Sequence, residues 1–505
     1  MTMNLFFHYA MIGLVWLSAL FIFILGLLVL YAIVLFVIDK SQTTDSIRYN
    51  YPVIGRFRYI FSELGEFFRQ YFFAMDREEM PFNRAEREWV YKSSRGVDNT
   101  VAFGSTKNLG VTGTVVFNNS PFPLLDEESS EPPEVIFGPH CDNPYTAKSI
   151  IHISGMSFGA LSGPAVKALS KGAELAGCWM NTGEGGLSPY HLYGKADIVF
   201  QIGTAKYGVR DPEGKLDEAR VAELGDFPYI KMFEVKLAQG AKPGKGGILP
   251  GEKVTPEIAK IRGIKVGEPS ISFNRHPDIQ CIDSLLDFIE KVRGLTKKPV
   301  GIKMVVGALD WFDEFAEAIK ERGVRAAPDF ITIDSGDGGT GAAPMPLIDN
   351  VGLPIRQALP LVVDKLVEHG LRERIKVVAS GKLVTPADVA WAYCAGADVV
   401  VSARGFMFAL GCIQALKCNK NTCPTGITTH DRRLQKGLDP TDKSQRVANF
   451  VGKIHYGSGL IAHSCGVPHV RALRRCHCRI VQNTGIAKPF DELYPEVSLE
   501  PDVSP

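Results

Sequence analysis

Residues 299–341 read PVGIKMVVGALDWFDEFAEAIKERGVRAAPDFITIDSGDGGTG. An apolar run over Pro299–Val305 is followed by a helical pattern over Trp311–Arg322. A second strand-like run, Phe330–Asp334, then gives way to the loop Asp337-Gly338-Gly339-Thr340-Gly341. Strand, helix, strand and glycine loop make one βα repeat of a parallel sheet.

The alternation continues in both directions from this unit. Candidate strands are Ser149–Ser154, Gly177–Asn181, Ile198–Gly203, Tyr229–Leu237, Pro299–Val305, Phe330–Asp334, Ile375–Ser380 and Asp398–Ser402. Helical patterns fit Gly163–Ala176, Leu216–Leu224, Ile282–Val292, Trp311–Arg322, Leu353–His369 and Pro386–Ala395. Eight strands close a barrel, so the expected class is α/β, a (β/α)8 TIM barrel with an N-terminal transmembrane helix and helical flanking segments. A doubly wound open sheet is the competing fold. No G-x-G-x-x-G follows any strand to support it.

Met11 to Ile38 carries no charge and is almost wholly apolar. As a helix it is long enough to cross a bilayer. Met1–Ala10 lacks the basic start of a signal peptide. Lys40, Arg48, Arg56, Arg58 and Arg69 follow the span and nothing basic precedes it. The expectation is a single-pass protein of the inner (cytoplasmic) membrane with its catalytic body in the cytoplasm. Tyr51–Phe73 reads as an amphipathic helix, packed on the body or lying on the bilayer. Asp126–Glu134 reads as an acidic loop, and the tail after Lys488 as an extended arm. The 56 Lys and Arg balance 55 Asp and Glu, which gives no basic footprint for nucleic acid.

In this fold the active site lies at the C-terminal ends of the strands, where six glycine-rich loops would converge. They contain Gly155 and Ser157; Asn181, Thr182 and Glu184; Gln239 and Lys242; Gly338 and Gly339; Gly381 and Lys382; Arg404 and Gly405. Bare backbone admits a cofactor closely, and the last loops suit a phosphate. Lys303 near the end of the fifth strand would set positive charge at the N1/O2 edge of a reduced flavin, or else pair with a barrel carboxylate. Past the eighth strand, Cys412, Cys418 and Cys423 form a C-x5-C-x4-C run ending in Cys-Pro. Three thiolates suit an iron–sulfur cluster. Zinc would need a fourth ligand, such as Cys465, Cys476, His477 or Cys478. An electron relay beside the flavin loops favours iron–sulfur.

The segments Asn181–Gly186, Lys236–Gly244, Asp337–Gly341 and the cysteine run resemble the FMN-binding synthase domain of glutamate synthases. The resemblance divides the chain into an anchor (1–40), a juxtamembrane segment (41–148), an FMN-binding barrel with an iron–sulfur loop (149–430) and a C-terminal extension (431–505). It implies FMN, a [3Fe-4S] cluster on Cys412, Cys418 and Cys423, and reduction of 2-iminoglutarate, formed from 2-oxoglutarate and ammonia, to glutamate. Lys236, Gln239 and Lys242 would face the oxoacid, and Glu184 would guide or deprotonate ammonium. Gln201 and Lys206 would line the flavin.

Where the family has Ser-Pro-Pro-Pro-His-His-Asp, this chain reads Ser272-Phe273-Asn274-Arg275-His276-Pro277-Asp278. Another 2-oxoacid or an N-substituted glutamate is therefore an alternative substrate, and a membrane-tethered electron-transfer subunit an alternative role. Met1-Thr2 leads into the apolar span, so no amidotransferase domain is expected before the barrel and a separate one would be a partner. Without a dinucleotide fingerprint, the electron donor is expected to be external: a ferredoxin-like protein, a reductase subunit or a membrane carrier.

Overall fold

The computed structural model describes residues 2–497, apart from the side chains of residues 2–4 and Glu66. The chain falls into two compact units, 1–85 and 86–505.

In the first unit, helix α1 (Thr2–Ser41) contains the expected apolar span, and Leu5–Ser41 is long and apolar enough to cross a membrane. Its end is tied down. The buried Asp39 carboxylate accepts from Arg48 Nη2 (2.8 Å), Arg56 Nη2 (2.6 Å) and the Val53 amide (3.0 Å). Two arginines of the basic flank therefore close a turn around one carboxylate. Helix α2 (Phe57–Phe68) follows and leaves Phe57, Phe61, Phe67 and Phe68 exposed.

The second unit is built on eight parallel strands: β1 (Ile151–Ile153), β2 (Met180–Asn181), β3 (Ile198–Ile202), β4 (Ile230–Lys236), β5 (Val300–Val305), β6 (Phe330–Asp334), β7 (Lys376–Ser380) and β8 (Val399–Ser402). They close in chain order, and β8 pairs with β1. The expected barrel is present, with each strand inside its predicted run. The buried runs tolerate apolar residues on both faces because helices cover the outside. These include α3 (Gly163–Ala176), α4 (Glu218–Gly225), α5 (Ile282–Thr296), α6 (Asp310–Arg322), α7 (Ile355–Glu368) and α8 (Pro386–Cys394). Sequence signals fix their starts. Ser162 Oγ accepts from the Ala165 amide ahead of α3, and Thr385 with Asp388 forms a capping box ahead of α8.

The N-terminal end of the barrel is plugged. A hairpin of Val135–Phe137 and Tyr145–Ala147 lays Phe137 edge-on against Trp179 and Phe330, both at 5.6 Å between ring centres. Burying each such ring contributes about 1.5–3 kcal/mol. The acidic stretch 126–134 is, as expected, without strands, with one short turn at Asp126–Glu128.

Helix α9 (Pro440–Ser464) packs on α3 and α8. The tail departs from the expected extended arm. Ala487–Pro489 adds to a three-stranded sheet with Val115–Phe117 and Cys478–Val481, and Phe490 is buried against Trp391. An aromatic residue at 490 gives the segment something to bury. Residues 498–505, the end of that expected arm, lie outside the described residues.

Candidate active site

Side chains alternate along a strand, so Glu234 and Lys236 of β4 both point into the barrel. Register places Gln201 beside Glu234, and Lys303 beside both Lys236 and Thr332. Glu234 becomes a buried hub. Its Oε1 accepts from Asn181 Nδ2 (2.8 Å) and Gln201 Nε2 (2.6 Å), and its Oε2 from Thr332 Oγ1 (2.7 Å). Three donors on one carboxylate lock the Gln201 amide at the cavity floor.

One layer higher, charges alternate. Lys303 Nζ lies 3.2 Å from Asp334 Oδ2, which also accepts from the Gly240 amide at 2.9 Å. Lys303 thus takes the carboxylate pairing while still lining the cavity. Burial alone would lower its pKa, but Asp334 and Glu234 leave it raised, so it stays an ammonium. Lys236 Nζ sits 3.2 Å from Glu184 Oε2 and donates to Gln239 Oε1. Burial would raise the Glu184 pKa, yet Lys236 and Lys242 hold it below the usual carboxylate range. Burial lowers Lys236, partly countered by Glu184, and brings Lys242 to about 8. Lys242 Nζ donates to the Ala342 carbonyl at 2.8 Å. Gly247 admits no side chain, because a Cβ there would collide with the Glu184 carboxylate.

The opposite wall carries Gly339, Gly381, Lys382 and Arg404. Lys382 Nζ donates to Asp337 Oδ2 (2.7 Å), and Arg404 Nη2 donates to the Thr340 carbonyl. Gly381 has φ +110° and a Cβ there would strike Ser335, so only glycine fits this approach. Gly155, Ser157 and Gln201 complete the wall.

Other predicted residues support the wall without lining it. Thr182 Oγ1 accepts from the Gln201 amide (3.1 Å), Gly338 donates to the Ser335 carbonyl (2.9 Å), and the Gly405 amide donates to Ser402 Oγ (3.2 Å). Lys206 is turned aside onto Asp278, at 2.5 Å.

The cysteine loop reaches the same cavity through Cys418. Cys423 is buried with Thr425 Oγ1 at 3.3 Å, and burial raises the Cys412 thiol. Cys465, Cys476, His477 and Cys478 are gathered elsewhere, around the ends of α8 and α9.

Sequence reading missed three residues besides Glu234. Lys253, buried and with a pKa of about 8 through burial, donates to the carbonyls of Ala160 (2.8 Å) and Cys418 (3.3 Å). Arg262 is buried beneath Glu184, with its guanidinium 5.2 Å from the Tyr207 ring centre and donating to Ser157 Oγ at 3.4 Å. Both stand in the excursion 237–299 between β4 and β5, off any strand end. His276, from the departing segment 272–278, donates through Nε2 to the Lys236 carbonyl at 3.0 Å. For Lys253 and Arg262 no local signal was available, since both lie among other charged residues of the same stretch.

Residues 114–468 match the family model described as a conserved region in glutamate synthase. The glutamate synthase large subunit-like protein YerD of Bacillus subtilis is 41% identical over 492 residues, covering 89% of this chain and 93% of that protein. An archaeal glutamate synthase [NADPH] of Methanocaldococcus jannaschii is 37% identical over 327 residues, 64% of this chain; the match spans only 60% of that enzyme's length. A glutamate synthase large subunit-like protein of Rhizobium meliloti is 33% identical over 348 residues, covering 65% of this chain and 74% of that protein.

Proposed function

The chain belongs to the glutamate synthase family of enzymes, and from that membership we propose that it reduces 2-iminoglutarate, formed from 2-oxoglutarate and ammonia, to L-glutamate. The observation that carries this reading is the meeting of Glu184, Lys236, Gln239 and Lys242 in one cavity whose far wall holds Lys382 and Arg404. A dicarboxylate loses hydration on entering, and two ammonium groups with an amide replace it.

The residues fit FMN. Glycine backbone at 339 and 381 leaves room for close approach, and Lys382 and Arg404 supply charge for its phosphate. When bound, FMN supplies the hydride. Lys303, kept positive beside Asp334 and lining the cavity, would offset negative charge on a reduced flavin. Lys236 and Lys242 hold the two carboxylates, Gln239 orients them, and ionised Glu184 receives a proton from ammonium. Cys412, Cys418 and Cys423 fit a [3Fe-4S] cluster. Electrons then come from an external donor. Helix α1 tethers the chain to the inner membrane, with the body on the basic, cytoplasmic side. This assignment counts Lys and Arg rather than net charge, so Asp39 does not alter it.

Titrating the flavin-loaded, detergent-solubilised chain with 2-oxoglutarate tests the reading. Saturable perturbation of the flavin spectrum, followed by glutamate formation from ammonia and a chemical reductant, is expected. A spectrum indifferent to 2-oxoglutarate contradicts it. The contact of His276 with the Lys236 backbone favours a second reading, in which the changed segment 272–278 selects another 2-oxoacid or an N-substituted glutamate. A panel of such acids in the same titration separates the two.

A further inference from the structure

Helix α2 carries its apolar residues on one side only. Phe57, Ile60, Phe61, Leu64, Phe67 and Phe68 recur three and four apart, so they share one face, and all six are exposed. Arg58, Ser62 and Glu63 fall on the other side. The rings form a continuous strip. Phe57 and Phe61 lie 6.3 Å apart between ring centres, Phe67 and Tyr71 4.9 Å, and Phe68 and Phe72 5.5 Å. Phe72 and Phe73, in the turn of π-helix that continues α2, are exposed as well. An apolar strip of this extent marks a face that something apolar covers.

What covers it follows from where α2 starts. Asp39, directly after the apolar span, accepts from Arg56, the residue before α2, at 2.6 Å. Asp45 caps the helical turn Ser46–Asn50 and accepts from Tyr59 Oη of α2 at 2.5 Å. Two carboxylates thus fasten the start of α2 to the end of α1. With α1 across a bilayer, Asp39 and its arginines stand at the water-facing boundary, since charge is costly among acyl chains. Helix α2 begins at that same depth. It does not cross in turn: its 12 residues rise about 18 Å against a hydrocarbon core of about 30 Å. Arg58, Glu63 and Glu66 also interrupt it.

We propose that α2 is an interfacial helix, lying in the plane of the bilayer surface. The face of Phe57, Phe61 and Phe68 enters the acyl boundary, and Arg58 and Glu63 turn toward water. Its partner is the lipid surface itself, and the inference rests on the reading of α1 as a membrane span. A lone span is free to tilt and to turn about its axis; an in-plane helix fastened to its end fixes the depth and direction in which the chain leaves the membrane.

Full-length protein is reconstituted into liposomes of phosphatidylethanolamine and phosphatidylglycerol doped with a phospholipid that carries a photoreactive diazirine on its acyl chain. After illumination, mass spectrometry maps the modified residues. Label is expected on α1 and on Phe57, Phe61, Leu64 and Phe68, about tenfold above that on Arg58, Ser62 and Glu63. Phe61→Glu is expected to strip the label from α2 and leave that on α1 unchanged. Label on α1 with none on α2 overturns the proposal and leaves the span standing, whereas label on neither removes the span and the proposal with it. Equal label on both sides of α2 overturns the in-plane orientation. Cross-links between copies at an unlabelled strip assign it to a second copy and overturn the proposal likewise. The unaltered chain decides, so a Phe61→Glu chain that fails to fold changes nothing.

Discussion

The two ends of the barrel are built from the same eight strands and could hardly differ more. At the mouth, Lys236, Lys303, Glu184 and Asp334 are packed into interlocking ion pairs over a buried carboxylate. At the floor, Phe137 meets Trp179 and Phe330 edge to face, Tyr145 meets Trp179 the same way, and the Tyr145 hydroxyl donates to Asp197 at 3.1 Å. Folding energy is gathered at the floor, where apolar burial dominates. The mouth carries desolvated charges that cost stability and are held because the rest of the barrel overdetermines their positions.

Removing an aromatic from the floor should cut deepest. Phe137→Ala is expected to lower unfolding stability by about 3–5 kcal/mol, measured by denaturant titration. The affinity of the folded fraction for 2-oxoglutarate should barely change. A large loss of affinity would mean that the two ends are coupled after all.

The mirror-image change is Lys236→Met. It should weaken 2-oxoglutarate binding by about 2–5 kcal/mol, the range for deleting one partner of a desolvated charge pair. Some stability should go as well, because the buried Glu184 carboxylate loses its 3.2 Å ammonium partner, a larger effect than the relief of repulsion from Lys303. Unchanged affinity would move the substrate elsewhere.

Glu234→Gln sharpens the contrast at the boundary between the ends. The amide cannot accept from Asn181, Gln201 and Thr332 all at once, and about 1–3 kcal/mol of stability should go with the mismatch. Gln201 would lose its fixed orientation, so flavin affinity should fall as well, read by equilibrium dialysis. A stable variant with full flavin affinity would show that the hub is dispensable.

The smallest effect is one of pH. Lys242, lowered to about 8 by burial, must be protonated to hold a carboxylate. Affinity for 2-oxoglutarate should be flat below about pH 7 and fall by up to tenfold per unit above 8. The linked effect on stability runs the other way. Between about pH 8 and the ordinary lysine range the unfolded chain binds more protons, so this lysine's contribution to stability rises with pH. Calorimetry and binding isotherms across the same series check both signs, and Lys242→Met should abolish each trend.

The mouth was legible in the sequence because its parts lie at strand ends, where short buried runs stop and glycines begin. Lys236, Gln239 and Lys242 sit within seven residues of one such end, and Gly381–Lys382 directly follow another. The floor was not legible. Val135–Phe137 and Tyr145–Ala147 are three-residue strands whose alternation is too short to register, and their partners Trp179 and Phe330 come from distant repeats. Glu234 hid inside an apolar strand, where its three donors come from three other strands. Lys253 and Arg262 hid in an excursion whose path no local pattern foretells. The tail misread has the same origin: Phe490 stands in a short mixed segment without a regular period, and its packing on Trp391 comes from a distant helix.

The excursion 237–299 has a bearing on how such a site can change over generations. Gln239, Lys242, Lys253 and Arg262 all belong to this one stretch, whereas Gly339, Lys382 and Arg404 come from the loops after three separate strands. A single inserted or recombined segment can therefore rewrite one wall, and altered residues such as Ser272–Asp278 can accumulate there, while the opposite wall is inherited intact with the barrel. New chemistry on this scaffold would be expected to arise by exchange within the part of that stretch beyond Gly244, where Ser272–Asp278 already departs, while Lys236–Gly244 and the phosphate-facing loops stay.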